Sequence, residues 1–262
     1  MANRILTARP ANAYRLVPSI MQRRPQSAYR LPPRTACLNC RARRNGLFCA
    51  VSPPALQALL EIRRTSKFPA GAILFMEGEE ARGVYIVCEG RVKLLTTNSE
   101  GKTLIFKIAK PGEVLGLNEA ISGSAHEITA EILEAAQLAY ISREDFMKFI
   151  KEHGDACLQV AQHLGRDCHL AYDVLRSIGL SNSVEEKLAR FLLEWCADAS
   201  VANGALRTKL ALTHEEIAQL IGCSRESVSR SFSDFKRKRL VEVNGSTLVV
   251  PDKAALAAMV EL

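Results

Sequence analysis

The first 60 residues of the chain contain no lysine, aspartate or glutamate. Their ten arginines give this stretch a formal charge of +10, whereas residues 61–262 carry 25 basic and 28 acidic side chains, a net charge of −3. Five prolines also fall within residues 1–35, so we expect a disordered basic arm there. The same composition also fits an organellar transit peptide or a start codon placed too early, with Met21 as the alternative start.

The sequence also lacks a hydrophobic run long enough to cross a membrane. No nucleophile lies in a recognisable catalytic elbow, and His153, His163 and His169 fall on or beside one predicted helix, where structural roles are the ordinary ones. These absences argue against a membrane protein and against a cysteine- or histidine-dependent enzyme. With 262 residues and 48% apolar side chains, the chain can form two domains, and we expect a cytoplasmic protein.

The strongest pattern in the sequence is a helix-turn-helix in residues 213–239. Thr213 can cap a helix, and Glu216 can complete a capping box three residues later. Gly222 supplies the tight turn, and Ser224 can cap a second helix that runs to about residue 239. The spacing on this second helix predicts a buried face formed by Val228, Phe232 and Phe235.

The opposite face of that helix carries polar side chains suited to DNA bases. An arginine can donate two hydrogen bonds to guanine, a glutamate can accept from cytosine, and a serine can bond thymine or adenine, all in the major groove. In most helices Glu226 and Arg230 would instead be an ordinary solvated ion pair. Cations at the helix end can contact phosphates. We therefore predict a DNA-binding surface formed by Ser224, Arg225, Glu226, Ser229, Arg230, Lys236 and Arg237.

Two short β-favouring runs follow this helix, at residues 240–243 and 246–250. Asn244-Gly245 between them is typical of a type I′ hairpin turn. The order of capped helix, turn, second helix and hairpin predicts a winged helix.

Most of residues 61–262 resemble the CRP/FNR family of bacterial transcription regulators, named for the cAMP receptor protein and the fumarate-nitrate reduction regulator. Glu226 followed by Ser229-Arg230 matches the E-x-x-S-R pattern of the FNR and FixK branches, which implies an inverted repeat of TTGA-type half-sites. Arg225 instead matches the cAMP-receptor branch, where an arginine at that place also reads guanine. The resemblance further implies double-stranded DNA, a second copy of the chain and RNA polymerase as partners.

From Phe68 onward, short β-favouring runs alternate with turn residues, which is typical of an all-β roll or barrel. This stretch is similar to the cyclic-nucleotide-binding β-roll of the same family, whose turns correspond to residues 69–71, 77–79 and 89–90. The predicted strands are residues 72–75, 83–88, 91–95 and 103–108.

A cyclic phosphate inside such a roll needs a cation and backbone donors to offset its desolvation. In cAMP-binding members of the family, a glutamate and an Arg-Ser pair follow the segment that corresponds to residues 112–116. The equivalent places here are Leu117 and Glu127-Ile128. Because a carboxylate would repel the phosphate, we expect that no cyclic nucleotide binds.

A heptad-like pattern lies between residues 155 and 178. Apolar residues recur there at alternating spacings of 4 and 3, which predicts a coiled-coil seam. A two-fold dimer would place two recognition helices about one DNA turn apart. The predicted dimer interface is Ala161, Leu164, Cys168, Ala171, Leu175 and Ile178, with Cys157 at the start of the same seam.

Three of the eight cysteines form a cluster, Cys37-x2-Cys40-x8-Cys49. In a cytoplasmic protein this spacing suggests metal or redox chemistry more than a disulfide framework. Three arginines between the second and third thiols would favour thiolates. The remaining five cysteines occupy isolated core or turn positions.

The cluster resembles the N-terminal iron-sulfur ligands of FNR-type oxygen sensors. In those members a fourth cysteine lies near the place held here by residues 138–140, which contain none, so Cys88 is the candidate fourth ligand. Zinc is the competing metal, but the first histidine is His126, so a zinc site would also need a distant ligand. A thiol redox switch, or a regulator under small-molecule control whose cysteines are incidental, remain alternatives.

The sequence therefore predicts an α+β chain with a cyclic-nucleotide-binding-like β-roll, a dimerisation helix and a winged helix-turn-helix. The expected boundaries are a basic arm at 1–35, a cysteine-containing sensor segment at 36–60, the β-roll at 61–152, the dimerisation helix at 153–180 and the DNA-binding domain at 181–262.

Overall fold

The computed structural model describes residues 46–48, 51–179, 183–197, 199–202 and 204–260. Within these ranges the chain forms a β-roll, a long helix and a winged helix-turn-helix, which confirms the α+β class. The predicted basic arm and three of the predicted metal ligands, Cys37, Cys40 and Cys49, lie outside the described residues. None of the helices in these ranges combines the length and apolar character needed to cross a membrane.

The β-roll consists of α1 (Pro53–Ile62), β1 (Arg64–Phe68), β2 (Ile73–Phe75), β3 (Gly83–Thr97), β4 (Thr103–Ala109), β5 (Val114–Leu115), α2 (Leu117–Ser122), β6 (Thr129–Ser142) and α3 (Arg143–Glu152). Its antiparallel strands have the order β1-β6-β3-β4, with β2 paired to β6 and β5 paired to β3.

The predicted turn at residues 89–90 is wrong, because β3 continues through it. The pairing with β6 shifts register at several points between Val87 and Val92, and Gly90 has a φ of 82°. A side chain at Gly90 would overlap the backbone of β6 at Ala135 and Ala136. A bulge that only glycine tolerates therefore bends one 15-residue strand, where the sequence predicts two strands.

Residues 46–48 pack against the β-roll at the base of the long helix. The backbone N–H of Leu47 donates to the carbonyl of Gly112 (3.2 Å). The ring of Phe48 is 1% exposed and meets Phe146 and Phe149 edge-on, each at a centroid distance of 5.9 Å. The segment just before Cys49 is thus part of the hydrophobic core of the roll.

The long helix α4 (Gly154–Gly179) has 26 residues, which corresponds to a length of about 39 Å. Ala156 and Val160 are buried against the roll, and Leu164 packs on the same core. Tyr172 and Leu158 are 54% and 58% exposed. Among the predicted seam residues, Cys157, Ala161, Cys168 and Ala171 are also exposed, and the side chains of Leu175 and Ile178 lie outside the described part of the helix.

The C-terminal elements in the described residues are α5 (Val184–Trp195), β7 (Ser200–Ala202), β8 (Ala205–Lys209), α6 (His214–Ile221), α7 (Arg225–Arg237), β9 (Glu242–Asn244), β10 (Thr247–Val250) and α8 (Lys253–Ala257). The four helices pack around a second antiparallel sheet with the strand order β7-β8-β10-β9. Leu188, Leu192 and Trp195 on α5 belong to the core of this domain.

The turn of the wing differs from the predicted type. Asn244 pairs with Thr247, so the two central residues are Gly245 and Ser246 rather than Asn244 and Gly245. Of these residues only Gly245 has a positive φ, at 61°. Glycine at the first central position with an ordinary φ at the second is the pattern of a type II′ turn, so the type I′ prediction is wrong.

Candidate DNA-binding site

The turn between α6 and α7 is set by local hydrogen bonds. Thr213 and Glu216 form a complete capping box, with the Thr213 N–H donating to Glu216 Oε2 (2.9 Å) and the Glu216 N–H donating to Thr213 Oγ1 (3.2 Å). Gly222 ends α6 in the left-handed region, with φ 69° and ψ 41°. Ser224 then caps α7 by accepting from the Ser227 N–H (3.2 Å). These bonds define where α6 begins and ends and where α7 begins.

One face of α7 is buried in the domain core. Val228 and Phe235 are fully buried, and Phe232 is 2% exposed. The buried hydroxyl of Ser231 donates to Glu185 Oε1 on α5 (3.2 Å). Because this face is fixed, the opposite face has a fixed orientation toward solvent.

The predicted base-reading side chains lie on that outer face. Arg225, Glu226 and Arg230 are exposed, and Ser229 is half-buried. Nη2 of Arg230 donates a long hydrogen bond to Ser227 Oγ (3.4 Å). Two guanidinium groups and a carboxylate therefore project from the first turns of α7 toward solvent.

Ser229 also contacts His214, a residue that the sequence analysis did not single out. The distance between His214 Nδ1 and Ser229 Oγ is 2.9 Å, and the His214 ring stacks on Phe232. Burial lowers the pKa of His214, and the charges of Lys236 and Arg225 lower it further. The ring is therefore neutral near pH 7.

The remaining predicted DNA-contacting side chains differ in whether they already bond to other groups of the protein. Lys236 is exposed near the end of α7. Arg237 Nη2 lies 2.7 Å from Asp234 Oδ1 on the same helix, so its charge is partly balanced. The hydroxyl of Ser224 donates to Ser227 Oγ (3.0 Å) while it caps the helix, which leaves it less available to a base.

A lysine of the β-roll connects this site to the rest of the chain. Lys93 Nζ lies 3.0 Å from Glu216 Oε1 on α6 and 2.9 Å from Glu131 Oε1 on β6. Burial alone would lower the pKa of Lys93, but the hydrogen bonds to Glu131 and Glu216 outweigh burial and raise it. The carboxylate that completes the capping box of α6 is thus also held by the roll.

A second contact lies beside the first. The guanidinium of Arg91 stacks over the Trp195 ring at 4.0 Å, and Glu134 lies 3.9 Å from Arg91 and 3.8 Å from Lys209. Residues Ile105 and Ile108 of β4 are buried in the core cluster of the DNA-binding domain. The β-roll and the DNA-binding domain therefore share an interface that contains both apolar contacts and ion pairs. No sequence pattern indicates this interface.

The segment expected to meet a cyclic phosphate carries acidic rather than basic side chains. Leu117 and Glu119 are buried on α2, and Glu127 is exposed. Residues 117–131 contain no lysine or arginine. Nearby, Arg143 Nε donates to the carbonyl of Ala120 (2.8 Å), so that guanidinium is committed to the backbone.

Cys88, the predicted fourth metal ligand, is half-buried on β3 and packs against the core cluster that contains Leu47 and Phe48. Two hydrogen bonds connect these places: Leu47 N–H to the Gly112 carbonyl, and Gly112 N–H to the carbonyl of Val87 (2.7 Å). Among the residues that the structure describes, no group of three or more His, Cys, Asp or Glu side chains is arranged to hold a metal. Because Cys37, Cys40 and Cys49 lie outside those ranges, the ligand set stays a prediction.

Comparison with protein families supports both halves of the architecture. Residues 65–153 match the cyclic nucleotide-binding domain, and residues 186–259 match the Crp-like helix-turn-helix domain. A CRP-like cAMP-activated global transcriptional regulator of Mycobacterium tuberculosis is 27% identical over 215 residues, which is 82% of this chain and 96% of that protein. The nitrogen fixation regulation protein FixK of Bradyrhizobium diazoefficiens is 26% identical over 224 residues, which is 85% of this chain and 93% of that protein.

Solved structures show the same fold. FixK2 from Bradyrhizobium japonicum aligns with a TM-score of 0.69 at 23% identity, covering 76% of this chain and 97% of that one. The c-di-GMP-responsive global regulator CLP of Xanthomonas campestris aligns with a TM-score of 0.66 at 18% identity, covering 76% of this chain and 99% of that one.

A nucleotide-binding-type β-roll joined to an exposed helix-turn-helix defines a DNA-binding transcription regulator rather than an enzyme. The chain belongs to the CRP/FNR family of such regulators.

Proposed function

We propose that this regulator binds, as a homodimer, an inverted repeat with TTGA-type half-sites. We further propose that Cys37, Cys40 and Cys49, together with Cys88, make it respond to oxygen or redox state through an iron-sulfur cluster. The observation that carries the DNA proposal is the outward face of α7, where Glu226, Ser229 and Arg230 lie on a helix fixed by its buried face.

The chemistry of these three side chains fits such a half-site. Arg230 can donate two hydrogen bonds to the single guanine of such a half-site, and Glu226 can accept from the amino group of the cytosine paired with it. Arg225 offers the same donor geometry as an alternative to Arg230. Ser229 can bond thymine or adenine. Lys236 and Arg237 near the end of α7 are placed to contact phosphates, and they add affinity without sequence preference.

The homodimer is supported by the exposed apolar side of α4. Leu158 and Tyr172 are more than half exposed on it, and Ala161, Cys168 and Ala171 are small enough for close helix packing. A two-fold axis along this helix would place the two α7 helices for half-sites about 34 Å apart. RNA polymerase is the partner that the family implies for such a dimer on a promoter.

The redox proposal is supported by the way the chain is anchored around Cys49. Leu47 and Phe48 before it and Val51 after it are buried in the core on which Cys88 packs. The hydrogen bonds through Gly112 join Leu47 to the strand of Cys88. Four thiolates are a complete ligand set for an iron-sulfur cluster, and such a cluster would supply oxygen lability.

In this proposal the state of the thiols controls how residues 36–60 pack against the β-roll. Residues 36–60 are ordered against the roll when their thiols are held, and Phe48 then stays seated between Phe146 and Phe149 at the base of α4. Release of the thiols would shift the population away from the dimer that is competent to bind DNA. Zinc on the same thiols, or a thiol redox switch without a metal, would use the same anchoring.

We also propose that the β-roll does not bind a cyclic nucleotide. Glu119 and Glu127 lie in the segment where a phosphate-binding guanidinium would be needed, and residues 117–131 contain no lysine or arginine. Calorimetric titration with cAMP or cGMP that gave low-micromolar binding would overturn this part.

A binding selection from random DNA, performed with anaerobically purified protein, tests the half-site. Arg230→Ala is expected to lose the preference for the repeat, whereas the matched control Lys67→Ala, at an exposed position of β1, is expected to keep it. Selection of no TTGA-like inverted repeat by the wild type would contradict the proposal.

Iron and acid-labile sulfide analysis tests the cluster, together with absorbance near about 400–420 nm, where thiolate-ligated clusters absorb. Cys88→Ser is expected to lose the absorbance, and Cys157→Ser, at an exposed position on α4, is expected to retain it. A colourless anaerobic protein without iron would refute the iron-sulfur proposal, and bound zinc would identify the competing metal.

A further inference from the structure

A hydrogen bond ties the first helix of the helix-turn-helix to the outer face of the second. His214 is the first residue of α6, and its Nδ1 lies 2.9 Å from Ser229 Oγ on α7. The imidazole also stacks on Phe232, with ring centroids 4.9 Å apart and planes within 11°. Because Phe232 is 2% exposed, the ring of His214 rests on a buried surface that holds it in place.

We propose that His214 is a positioning residue that fixes the direction in which Ser229 presents its hydroxyl proton, and that it thereby determines base preference at one position of the half-site. This inference rests on the proposed contact between Ser229 and a base. It assigns a role in specificity to a residue of α6 that does not itself need to touch DNA.

The reason lies in the single proton of a serine hydroxyl. When the proton of the neutral imidazole is on Nδ1, His214 donates to Ser229, and the hydroxyl proton is free for an acceptor such as thymine O4. When that proton is on Nε2, Ser229 donates to His214, and only its lone pairs remain for an amino group of adenine or cytosine. In the first tautomer His214 occupies one of the two lone pairs of Ser229, and in the second it takes the hydroxyl proton. In both cases it limits the directions in which Ser229 can bond a base, compared with an isolated serine.

The stack on Phe232 makes this constraint rigid. A flexible partner could follow the hydroxyl as it rotates, whereas a ring held against a buried phenylalanine keeps its nitrogen in one place. The backbone carbonyl of Ser229 accepts from Ser233 Oγ (2.9 Å). The residue is therefore held on both its side chain and its backbone.

The test is a binding selection with His214→Phe, which keeps a ring on Phe232 and removes the nitrogen. Discrimination at one position of the half-site is expected to fall by about five- to tenfold, the value of one hydrogen bond, with the other positions unchanged. His214→Asn places a polar atom near the position of Nδ1 and is expected to restore part of the discrimination.

Ser229→Ala supplies the matched control. In that background His214→Phe is expected to cause no further change in base preference. An unchanged preference in the single variant, or a change that persists without the serine hydroxyl, contradicts the inference. A uniform loss of affinity for all sequences with a weaker salt dependence would assign His214 to a phosphate and would also overturn it.

Thermal unfolding of each variant shows whether it folds. If His214→Phe does not fold, the comparison of His214→Asn with His214→Ala decides the question, because only asparagine keeps a polar partner for Ser229. The measured quantity is the change relative to the site that the wild type selects. A wild type that selects a different repeat therefore contradicts the proposed TTGA half-site but leaves this comparison intact.

Discussion

Cations serve two different purposes in the two halves of this molecule. In the β-roll, Lys93 is held by two carboxylates and Arg91 lies over an indole ring, and both groups are mostly withdrawn from solvent. On α7, Arg225 and Arg230 are exposed. Paired charges orient the DNA-binding domain on the roll, whereas the exposed charges are available to a polyanion. The difference teaches that local pairing, more than net charge, separates structural cations from ligand-binding ones.

Arg230→Ala tests the exposed side of this comparison and has the largest expected effect. Loss of the two proposed hydrogen bonds to guanine should weaken binding to the selected site by about 10- to 100-fold. The melting temperature should stay within error of the wild type, because the side chain makes only a long bond to Ser227. Fluorescence anisotropy with labelled duplex and a thermal melt measure the two quantities. A large drop in stability would show that Arg230 is structural.

Lys93→Met tests the ion-paired cations of the β-roll. Removal of the ammonium leaves Glu131 and Glu216 without their shared partner in a partly buried interface, with side-chain exposures of 27% and 19%. We expect a loss of about 1–2 kcal/mol in unfolding free energy, reduced from the cost of a fully buried charge because solvent still reaches both groups. Urea unfolding measures it, with Lys67→Met as the control. Equal stability of the two variants would mean that the contact contributes nothing.

Gly222→Ala tests the turn that joins α6, which contacts the β-roll through Glu216, to α7, which carries the exposed arginines. The φ of 69° is costly for any residue with a side chain, but a methyl group here would meet no atom within 4 Å. The expected cost is therefore the backbone term alone, about 1 kcal/mol. Gly154→Ala also meets nothing within 4 Å but has no positive φ, so we expect it to be close to neutral. Unfolding free energies of the two variants make the comparison.

The pH dependence of stability gives the smallest expected effect. Burial alone would raise the pKa of Glu216, but hydrogen bonds from Thr213 and Lys93 outweigh burial and hold it below the usual value of 4.5. The folded state thus binds fewer protons than the unfolded state. The stabilisation is present above about pH 4.5 and is lost as the pH falls through the folded-state pKa. Glu216→Gln should flatten this part of the stability profile, and the exposed control Glu100→Gln should leave it unchanged.

The helix-turn-helix could be predicted in detail because its signals are local. Thr213 and Glu216 are three residues apart, Gly222 follows directly, and Val228, Phe232 and Phe235 recur at helical spacing. Each of these features acts through a bond or contact within one or two turns of helix. The observed end of α7 at Arg237 lies close to the predicted end at about residue 239, because helix ends are also determined by neighbouring residues.

The details of the β-roll and of its contact with the DNA-binding domain could not be predicted from the sequence. Whether Gly90 forms a turn or a bulge depends on Ala135 and Ala136, which reach it only through the fold. The bond between Lys93 and Glu216 joins residues 123 positions apart, and no sequence spacing indicates it. The sequence places the wing turn one residue too early, because its register depends on the pairing of β10 with β8 and β9 as well as on Asn244-Gly245.

The ring of Phe48 connects the backbone next to Cys49 to the start of α4 through a short series of ring contacts. One peptide bond separates this residue from Cys49, and its ring touches Phe149, whose own ring lies 5.0 Å from that of His153 at the junction of α3 and α4. A pull of even one ångström on the backbone at Cys49 would therefore have to be absorbed by a close-packed aromatic trio at the root of a long lever. In the proposed redox response, these three rings are the contacts through which a change at Cys49 would reach the first turn of α4.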